Sequence, residues 1–122
     1  MEYRTLGKTA LRLSALGFGC GAVGGLMVRG EAADRQRAVA RAVERGITYF
    51  DTAFMYGNGV SEKNLGIALK SISTPIHLGT KVILAPEDFA DVEAAVIQAA
   101  EDSLKRLDRD YVDLFQLHNS LG

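Results

Sequence analysis

The chain has 122 residues, with 14 basic and 15 acidic side chains and 48% hydrophobic residues, which is typical of one globular domain or part of one. Its net charge of -1 gives no basis for binding nucleic acid or an anionic membrane. No apolar run is long enough to span a bilayer, the N-terminus carries no secretion signal, and the single cysteine, Cys20, excludes an internal disulfide. We therefore expect a cytoplasmic protein.

The first part of the sequence predicts a hairpin and then a short strand. Residues 3–6 and 11–14 flank a polar loop that contains glycine, a pattern typical of two antiparallel strands. Residues 15–19 form a small apolar run that predicts a further strand. A glycine-rich stretch from Gly21 to Gly25 follows this strand.

The rest of the sequence alternates between helical and extended patterns. Apolar residues at helical spacing predict helices, and β-branched or aromatic runs predict strands. In chain order the predicted elements are a helix over 31–45 ended by Gly46, a strand over 47–50, a helix from Ser61 as N-cap to 69, a strand over 76–83, a helix over 91–107 and a strand over 111–117. This alternation implies a parallel sheet.

Three ionisable residues lie at the ends of successive predicted strands. These residues are Asp51, Lys81 and His118, and the separations between them are 30 and 37 residues. One βα unit of an eight-unit barrel takes about 31 residues, and barrel enzymes place their chemistry at the carboxyl ends of the strands. Tyr56 lies in the loop after Asp51 and can reach the same edge. The spacing therefore predicts a site at one end of a barrel.

These four residue types fit proton donation to a carbonyl group. A phenol has a reference pKa of about 10 and needs a stabilised phenolate to act as an acid at neutral pH. A lysine ammonium supplies that stabilisation, an aspartate holds the lysine, and a neutral imidazole orients a carbonyl oxygen. Reduction of a carbonyl needs such an acid, because a proton reaches oxygen while a hydride from nicotinamide reaches carbon.

Strand parity adds a structural prediction. Alternate residues of a strand share one face of a sheet. If the three strand-end residues point into a barrel, Tyr49, Gly79 and Gln116 should lie on the same inner face. Their placement on the helix-covered face would contradict the site.

The motifs at these positions strongly resemble the aldo-keto reductase superfamily. The resemblance runs from the hairpin to the last residues, and the motifs occur in the family's order and spacing. The matching stretches are Leu16–Gly19, Tyr49–Ala53, Tyr56–Gly57, Ser61–Glu62, Leu65–Leu69, Thr80–Val82, Leu104–Leu107 and Asp110–Asn119.

The resemblance implies a role for each residue of the site. Tyr56 would be the general acid, and Lys81 and Asp51 would tune it. His118 would orient the substrate carbonyl, and Asn119 follows it where the family places another residue near the substrate. The family reduces aldehydes and ketones with NADPH, less often NADH, and without a metal. Substrate contacts are therefore expected from Tyr56, His118 and Asn119.

The resemblance also implies where the cofactor binds. Gly19, Cys20 and Gly21 occupy the loop after the first parallel strand, where the family approaches the nicotinamide half, and Asp51 lies beside them. The later βα units of the family, which grip the amide, diphosphate and adenosine, lie beyond this sequence.

The expected architecture is the N-terminal half of a (β/α)8 TIM barrel, with a hairpin over 1–14, βα units over 15–122 and the C-terminal half absent. The expected function is NAD(P)H-dependent reduction of a small carbonyl substrate. The alternative is a catalytically incomplete half-barrel that acts as an assembly or regulatory module. Open strand edges also predict self-association.

Three features have competing interpretations. Gly19 to Gly24 imitates a dinucleotide fingerprint, but residues 25–30 do not start a clear helix, so a Rossmann fold is not favoured. Cys20 is either a reactive thiol near the cofactor or, as favoured, a small buried residue. His77 has no second ligand at metal-binding spacing, so no metal site is expected.

Overall fold

The computed structural model describes residues 1–119, which form a hairpin followed by alternating parallel strands and helices. The strands are β1 (Tyr3–Thr5), β2 (Arg12–Ser14), β3 (Phe18–Gly19), β4 (Tyr49–Asp51), β5 (His77–Val82) and β6 (Leu114–Leu117). The α-helices are α1 (Leu26–Arg29), α2 (Ala32–Glu44), α3 (Val60–Leu69) and α4 (Val92–Leu107), and a 3-10 helix spans Pro86–Ala90.

The predicted hairpin and parallel sheet are confirmed. Strands β1 and β2 pair antiparallel, and the second sheet has the order β3-β4-β5-β6 with every pair parallel. Asp51 is in register with Gly19 on one side and Gly79 on the other, and Lys81 is in register with Gln116. The carboxyl ends of all four strands therefore meet at one edge.

The hairpin is attached to the amino-terminal end of this sheet by side-chain hydrogen bonds. The backbone N–H of Ser14 donates to Thr48 Oγ1 at 3.0 Å, and the N–H of Thr48 donates to Ser14 Oγ at 2.9 Å. The Tyr3 hydroxyl donates to the Gly46 carbonyl at 3.0 Å. The hairpin therefore does not cover the opposite, carboxyl end of the strands, where the site is expected.

The hydrophobic core lies between the sheet and its helices. Phe50, Leu78, Leu65 and Leu107 are at most 2% exposed and come from β4, β5, α3 and α4. Because side chains alternate along a strand, the neighbours of Phe50 in β4 point to the other face.

The predicted inner face is also confirmed. The Tyr49 hydroxyl and Gln116 Nε2 both donate to Asp51 Oδ1, and a Cβ added at Gly79 would lie 2.6 Å from the Tyr49 hydroxyl oxygen. Asp51, Tyr49, Gln116 and Gly79 therefore share the face away from the helices. This arrangement leaves one side of the sheet lined with polar groups.

The start of α3 differs from the prediction. Gly59, with φ +91°, is the N-cap, and Ser61 lies inside the first turn of the helix. The Ser61 hydroxyl donates to the Cys20 carbonyl at 3.0 Å and lies 2.9 Å from Thr52 Oγ1. Ser61 as N-cap was therefore wrong, because a glycine supplies the left-handed turn and the serine binds a neighbouring loop.

Two short helices were not predicted. Helix α1 is one turn that begins after Gly25 at φ +73°, within the stretch that did not read as a helix start, and the 3-10 helix Pro86–Ala90 precedes α4. None of the helices in residues 1–119 combines the length and the apolar character needed to cross a bilayer.

Candidate active site

The carboxyl edge of the sheet brings together the predicted site residues. Asp51 is the last residue of β4, Lys81 is the last but one of β5, and His118 directly follows β6. The backbone N–H of His118 donates to the Val82 carbonyl at 2.8 Å, so the parallel pairing continues as far as the histidine. Tyr56 reaches this edge from the loop between β4 and α3.

Lys81 is the centre of the cluster. Its Nζ donates to Asp51 Oδ2 at 2.6 Å and to the Thr52 carbonyl at 2.8 Å, and it lies 3.5 Å from the Tyr56 hydroxyl. Only 12% of the lysine side chain is exposed. The ammonium is therefore held by two oxygens while its third direction faces the phenol.

The Asp51 carboxylate is held from its other side. The Tyr49 hydroxyl donates to Asp51 Oδ1 at 2.9 Å, and Gln116 Nε2 lies 3.4 Å from the same oxygen. Burial, followed by the bond to Asp51, raises the pKa of Tyr49 above its ordinary value. Tyr49 is therefore a neutral donor at physiological pH.

The aromatic rings of Tyr56 and His118 pack edge to face. Their centroids are 5.7 Å apart at an interplanar angle of 90°. Within residues 1–119, His118 Nδ1 is the one buried side-chain nitrogen or oxygen without a hydrogen-bond partner. A buried polar atom without a partner is uncommon and costly in a folded protein.

Asn119 closes the sheet beside the site. Its Oδ1 accepts from the Leu84 N–H at 3.1 Å, and its Nδ2 donates to the Leu84 carbonyl at 3.0 Å. These two bonds imitate a further step of the β5–β6 pairing. Both polar atoms of the Asn119 amide are thus engaged with the backbone. A contact between Asn119 and a substrate stays a prediction.

The loop after β3 combines open glycines with a buried thiol. A Cβ at Gly19 or Gly21 would meet no atom within 4 Å, so the backbone there is approachable by a ligand. Cys20 is 1% exposed, and burial raises the pKa of its thiol to about 12. This agrees with the favoured interpretation of Cys20 as a small buried residue, since such a thiol is unreactive.

These residues fit the nicotinamide half of a dinucleotide and a carbonyl group. The chemistry of the set supports the fit, since the Tyr56 hydroxyl, the Lys81 ammonium and the His118 ring are polar groups suited to a carbonyl oxygen. Gly19 and Gly21 leave space at the neighbouring strand end. Their role in binding a cofactor stays a prediction.

A second buried polar network was missed by the sequence analysis. Glu62 is fully buried, with Oε1 accepting from Thr80 Oγ1 at 2.6 Å and Oε2 accepting from Arg106 Nε at 2.5 Å. The sequence contained a signal for this burial. Glu62 precedes Leu65 and Leu69 by three and seven residues, and it therefore lies on the buried stripe of α3. The guanidinium of Arg106 also lies 4.8 Å from the Phe54 ring centroid.

His77 lies at the other end of the sheet. Its Nδ1 is 3.0 Å from Asp113 Oδ1, and Asp113 Oδ2 accepts from the Leu78 N–H at 2.8 Å. This pair joins β5 to the segment before β6. His77 therefore has a structural contact far from the carboxyl edge.

The parallel sheet with alternating helices has the architecture of a (β/α)8-barrel protein, and Tyr56, Lys81, Asp51 and His118 gather at its carboxyl edge. The chain belongs to the aldo/keto reductase family, because the model of that family matches residues 15–120. Among curated relatives, it is 36% identical to L-galactose dehydrogenase of Arabidopsis thaliana, over 98% of this chain and 38% of that protein. It is also 36% identical to aldo-keto reductase YhdN of Bacillus subtilis, over 97% of this chain and 38% of that protein.

Solved structures give the same result. The holo form of aldo-keto reductase AKR11C1 from Bacillus halodurans has a TM-score of 0.77 at 35% identity, covering 96% of this chain and 40% of that chain. An aldo-keto reductase from Klebsiella pneumoniae in complex with NADPH has a TM-score of 0.73 at 30% identity, covering 88% and 36%. The fold is therefore the N-terminal half of a (β/α)8 barrel, and the chain spans about 38% of the curated relatives it matches.

Proposed function

We propose that this chain carries the proton-transfer machinery of an NAD(P)H-dependent reductase that converts a small aldehyde or ketone to an alcohol. The observation that carries the proposal is the position of Lys81 Nζ, 2.6 Å from Asp51 and 3.5 Å from the Tyr56 hydroxyl. An ammonium held by a carboxylate and directed at a phenol is the arrangement that makes a phenol an acid.

The four residues of the site divide the proton transfer among them. Tyr56 donates its hydroxyl proton to the carbonyl oxygen, and the Lys81 ammonium stabilises the phenolate that remains. Asp51 keeps that ammonium charged and in place, and His118 orients the carbonyl oxygen by a hydrogen bond from its ring. The nicotinamide, when bound, supplies the hydride to the carbonyl carbon.

The loop after β3 supports the placement of the cofactor. Gly19 and Gly21 would let the nicotinamide half approach the backbone beside Asp51 and Cys20. The Klebsiella pneumoniae relative is a complex with NADPH, which supports a nicotinamide cofactor and favours NADPH over NADH. A cytoplasmic location, and a small molecule rather than nucleic acid or membrane as partner, belong to the same proposal.

The decisive experiment compares two tyrosines that differ only in position. Tyr56→Phe and Tyr111→Phe each remove one hydroxyl, and Tyr111 is 69% exposed and away from the site. Consumption of NADPH with an aldehyde substrate is measured for the 122-residue chain, and for the chain joined to the C-terminal half of the Bacillus halodurans relative. We expect Tyr56→Phe to lower the rate by at least about 100-fold and Tyr111→Phe to leave it unchanged. Equal and measurable rates for the two variants of the joined chain would show that Tyr56 is not the acid.

A second candidate function is an assembly module that pairs with a complementary half-barrel. The observation in its favour is that β3 and β6 end the four-stranded sheet with an unpaired edge each, within residues 1–119. Exposed strand edges promote association of chains. Sedimentation of the 122-residue chain with and without NADPH tests it. An oligomer that neither binds NADPH nor reduces a carbonyl would favour the module, and a monomer that does both would exclude it.

A further inference from the structure

The ring of Tyr49 lies across the inner face of the sheet in a space left by two glycines. A Cβ at Gly17, before β3, would lie 3.0 Å from Tyr49 Cδ1. A Cβ at Gly79, in β5, would lie 2.6 Å from the Tyr49 hydroxyl oxygen. Any other residue at Gly79 would therefore displace the phenol. The strands on both sides of β4 accommodate this one side chain.

The hydroxyl of Tyr49 is directed at the candidate catalytic aspartate. It donates to Asp51 Oδ1 at 2.9 Å, and Gln116 Nε2 approaches the same oxygen at 3.4 Å. The other oxygen, Oδ2, accepts from Lys81 Nζ at 2.6 Å. The two oxygens therefore have separate partners, one set on the inner face and one at the site.

This division fixes the orientation of the carboxylate. The terminal torsion of an aspartate side chain is broad, so a carboxylate held through one oxygen retains rotational freedom. A donor on each oxygen removes that freedom, and bonds to an ionised acceptor are the stronger ones. The raised pKa of Tyr49 keeps the phenol protonated and able to donate throughout the neutral range.

We propose that Tyr49 is a positioning residue that fixes the Asp51 carboxylate and, through it, directs the Lys81 ammonium at Tyr56. Gln116 assists at the same oxygen. This inference rests on the proposed function, since it assigns Tyr49 a part in preparing the general acid.

A purely structural role of Tyr49 makes a different prediction. If the ring only fills the space between Gly17 and Gly79, then Tyr49→Phe keeps every apolar contact and should behave as the unmodified chain. If the hydroxyl positions Asp51, removing it should loosen Lys81 without unfolding the sheet. Tyr49→Phe therefore separates the two roles, and Tyr111→Phe is the matched control.

The first measurement needs no enzymatic activity. In the 122-residue chain, the ammonium resonance of Lys81 is observed by nitrogen-15 NMR, where a firmly hydrogen-bonded ammonium exchanges slowly with water. We expect Tyr49→Phe to broaden or remove this signal, while Tyr111→Phe retains it and both variants keep a cooperative thermal transition well above the temperature of the NMR measurement. An unchanged Lys81 signal in Tyr49→Phe would overturn the inference.

The second measurement uses turnover by the chain joined to the relative's C-terminal half. We expect Tyr49→Phe to lower kcat by about 10-fold with the carbonyl KM nearly unchanged, since the lost bond is to a charged group. In an Asp51→Asn background the same change should have no further effect. If Tyr56→Phe were fully active, the proposed function would be wrong. If Tyr56→Phe were inactive and Tyr49→Phe fully active, only the positioning role would be wrong.

Discussion

Two ion pairs lie on opposite faces of the parallel sheet, and they differ in how completely their partners are satisfied. Arg106 and Glu62 meet at 2.5 Å on the helix-covered face, where the Glu62 side chain is 0% exposed. Lys81 and Asp51 meet at 2.6 Å on the inner face, where the Asp51 side chain is 30% exposed. The pairs have similar lengths, so distance alone does not distinguish their roles.

The Glu62 network is complete. Both carboxylate oxygens are bonded, to Thr80 in β5 and to Arg106 in α4, while Glu62 itself belongs to α3. The pair therefore joins two helices and the sheet. Arg106 Nη2 also donates to Ser103 Oγ at 3.2 Å.

The Lys81 network is less complete. Its contact with the Tyr56 hydroxyl is long at 3.5 Å, and the nearby His118 Nδ1 has no partner within residues 1–119. The two networks therefore differ in how many of their polar groups are bonded within the protein. Under the proposed function, the inner-face pair acts in the chemistry and the Glu62 pair stabilises the fold.

The largest expected effect comes from removing Arg106. Arg106→Met leaves the carboxylate of Glu62 buried without its cation, and breaking a buried pair in this way costs about 3–5 kcal/mol. Urea unfolding followed by far-ultraviolet circular dichroism measures the loss, since the chain has no tryptophan. The control is Arg109→Met, three residues along the chain and exposed.

A loss in Arg106→Met no larger than in Arg109→Met would break the comparison. It would mean that the Glu62 carboxylate reaches solvent at little cost when Arg106 is removed. The Glu62–Arg106 network would then not be the one of the two that stabilises the fold.

The next effect in size separates activity from stability at Lys81. Lys81→Met leaves Asp51 bonded to Tyr49 and Gln116 and partly solvated, so we expect a loss of about 1–2 kcal/mol in unfolding free energy. Carbonyl reduction by the chain joined to the relative's C-terminal half should fall by at least about 100-fold. Lys63→Met, at an exposed position on α3, is the matched control and should change neither quantity.

The opposite pattern would contradict the assignment of the two pairs. A stability loss in Lys81→Met as large as that in Arg106→Met, with activity retained, would make the inner-face pair structural. The two measurements on the same variants therefore test the comparison from both sides.

The sequence predicted the order of elements because that information is local. The apolar stripe of α4 and the β-branched runs before Asp51 and Lys81 specify helix or strand without reference to distant residues. The predicted bounds of the strands were less accurate where a side chain makes one of the bonds between neighbouring strands. The segment at 111–113 was predicted as strand, but Asp113 there binds His77 and the Leu78 N–H, and β6 begins at Leu114.

The tertiary contacts of single polar residues could not be predicted in this way. Ser61 resembled an N-cap, yet its hydroxyl donates to Cys20, 41 residues earlier. Within the candidate site, the meeting of Asp51 and Lys81 followed from strand ends, and the inner face of Tyr49 from parity. The bond from Tyr49 to Asp51 depends on the conformations of the two side chains and on the room that Gly79 leaves for the ring. Neither can be read from the positions of these residues in the sequence.

A further effect, which is absent at neutral pH, concerns stability at alkaline pH and the buried Cys20 beside the site. The Cys20 thiol has its pKa raised from 9.0 to about 12, mainly by burial and also by Asp51. In the unfolded chain the thiol ionises first, so this group's stabilising contribution is complete below pH 9 and is lost as the pH rises toward 12. The slope is at most about 1.4 kcal/mol per pH unit.

Cys20→Ala should remove this part of the pH dependence. Unfolding free energies of the two chains are compared at pH 7 and at several values above pH 9. The difference between the chains should narrow as the pH rises, since only the unmodified chain contains the thiol. Parallel curves would mean that Cys20 ionises as readily in the folded chain, and that water reaches its thiol there.

The smallest effect is expected from an ion pair that lacks burial. Lys70 and Asp108 meet at 2.9 Å with side chains 64% and 68% exposed, and Lys70 lowers the pKa of Asp108 below its ordinary value. Asp108→Asn removes the charge and retains a residue that tolerates φ +54°. The thermal midpoint should change by less than about 1 °C, because solvent and salt screen exposed charges.

This variant isolates burial as the cause of the contrast between the other pairs. All three pairs have short nitrogen–oxygen distances, and only the pair on α3 and α4 has a fully enclosed carboxylate. A drop in the thermal midpoint for Asp108→Asn as large as that for Arg106→Met would show that distance, and not desolvation, determines the contribution of an ion pair here. An unchanged midpoint in low and high salt would instead show that burial determines the contribution, with the Lys81 pair, whose side chains are 12% and 30% exposed, between the two extremes.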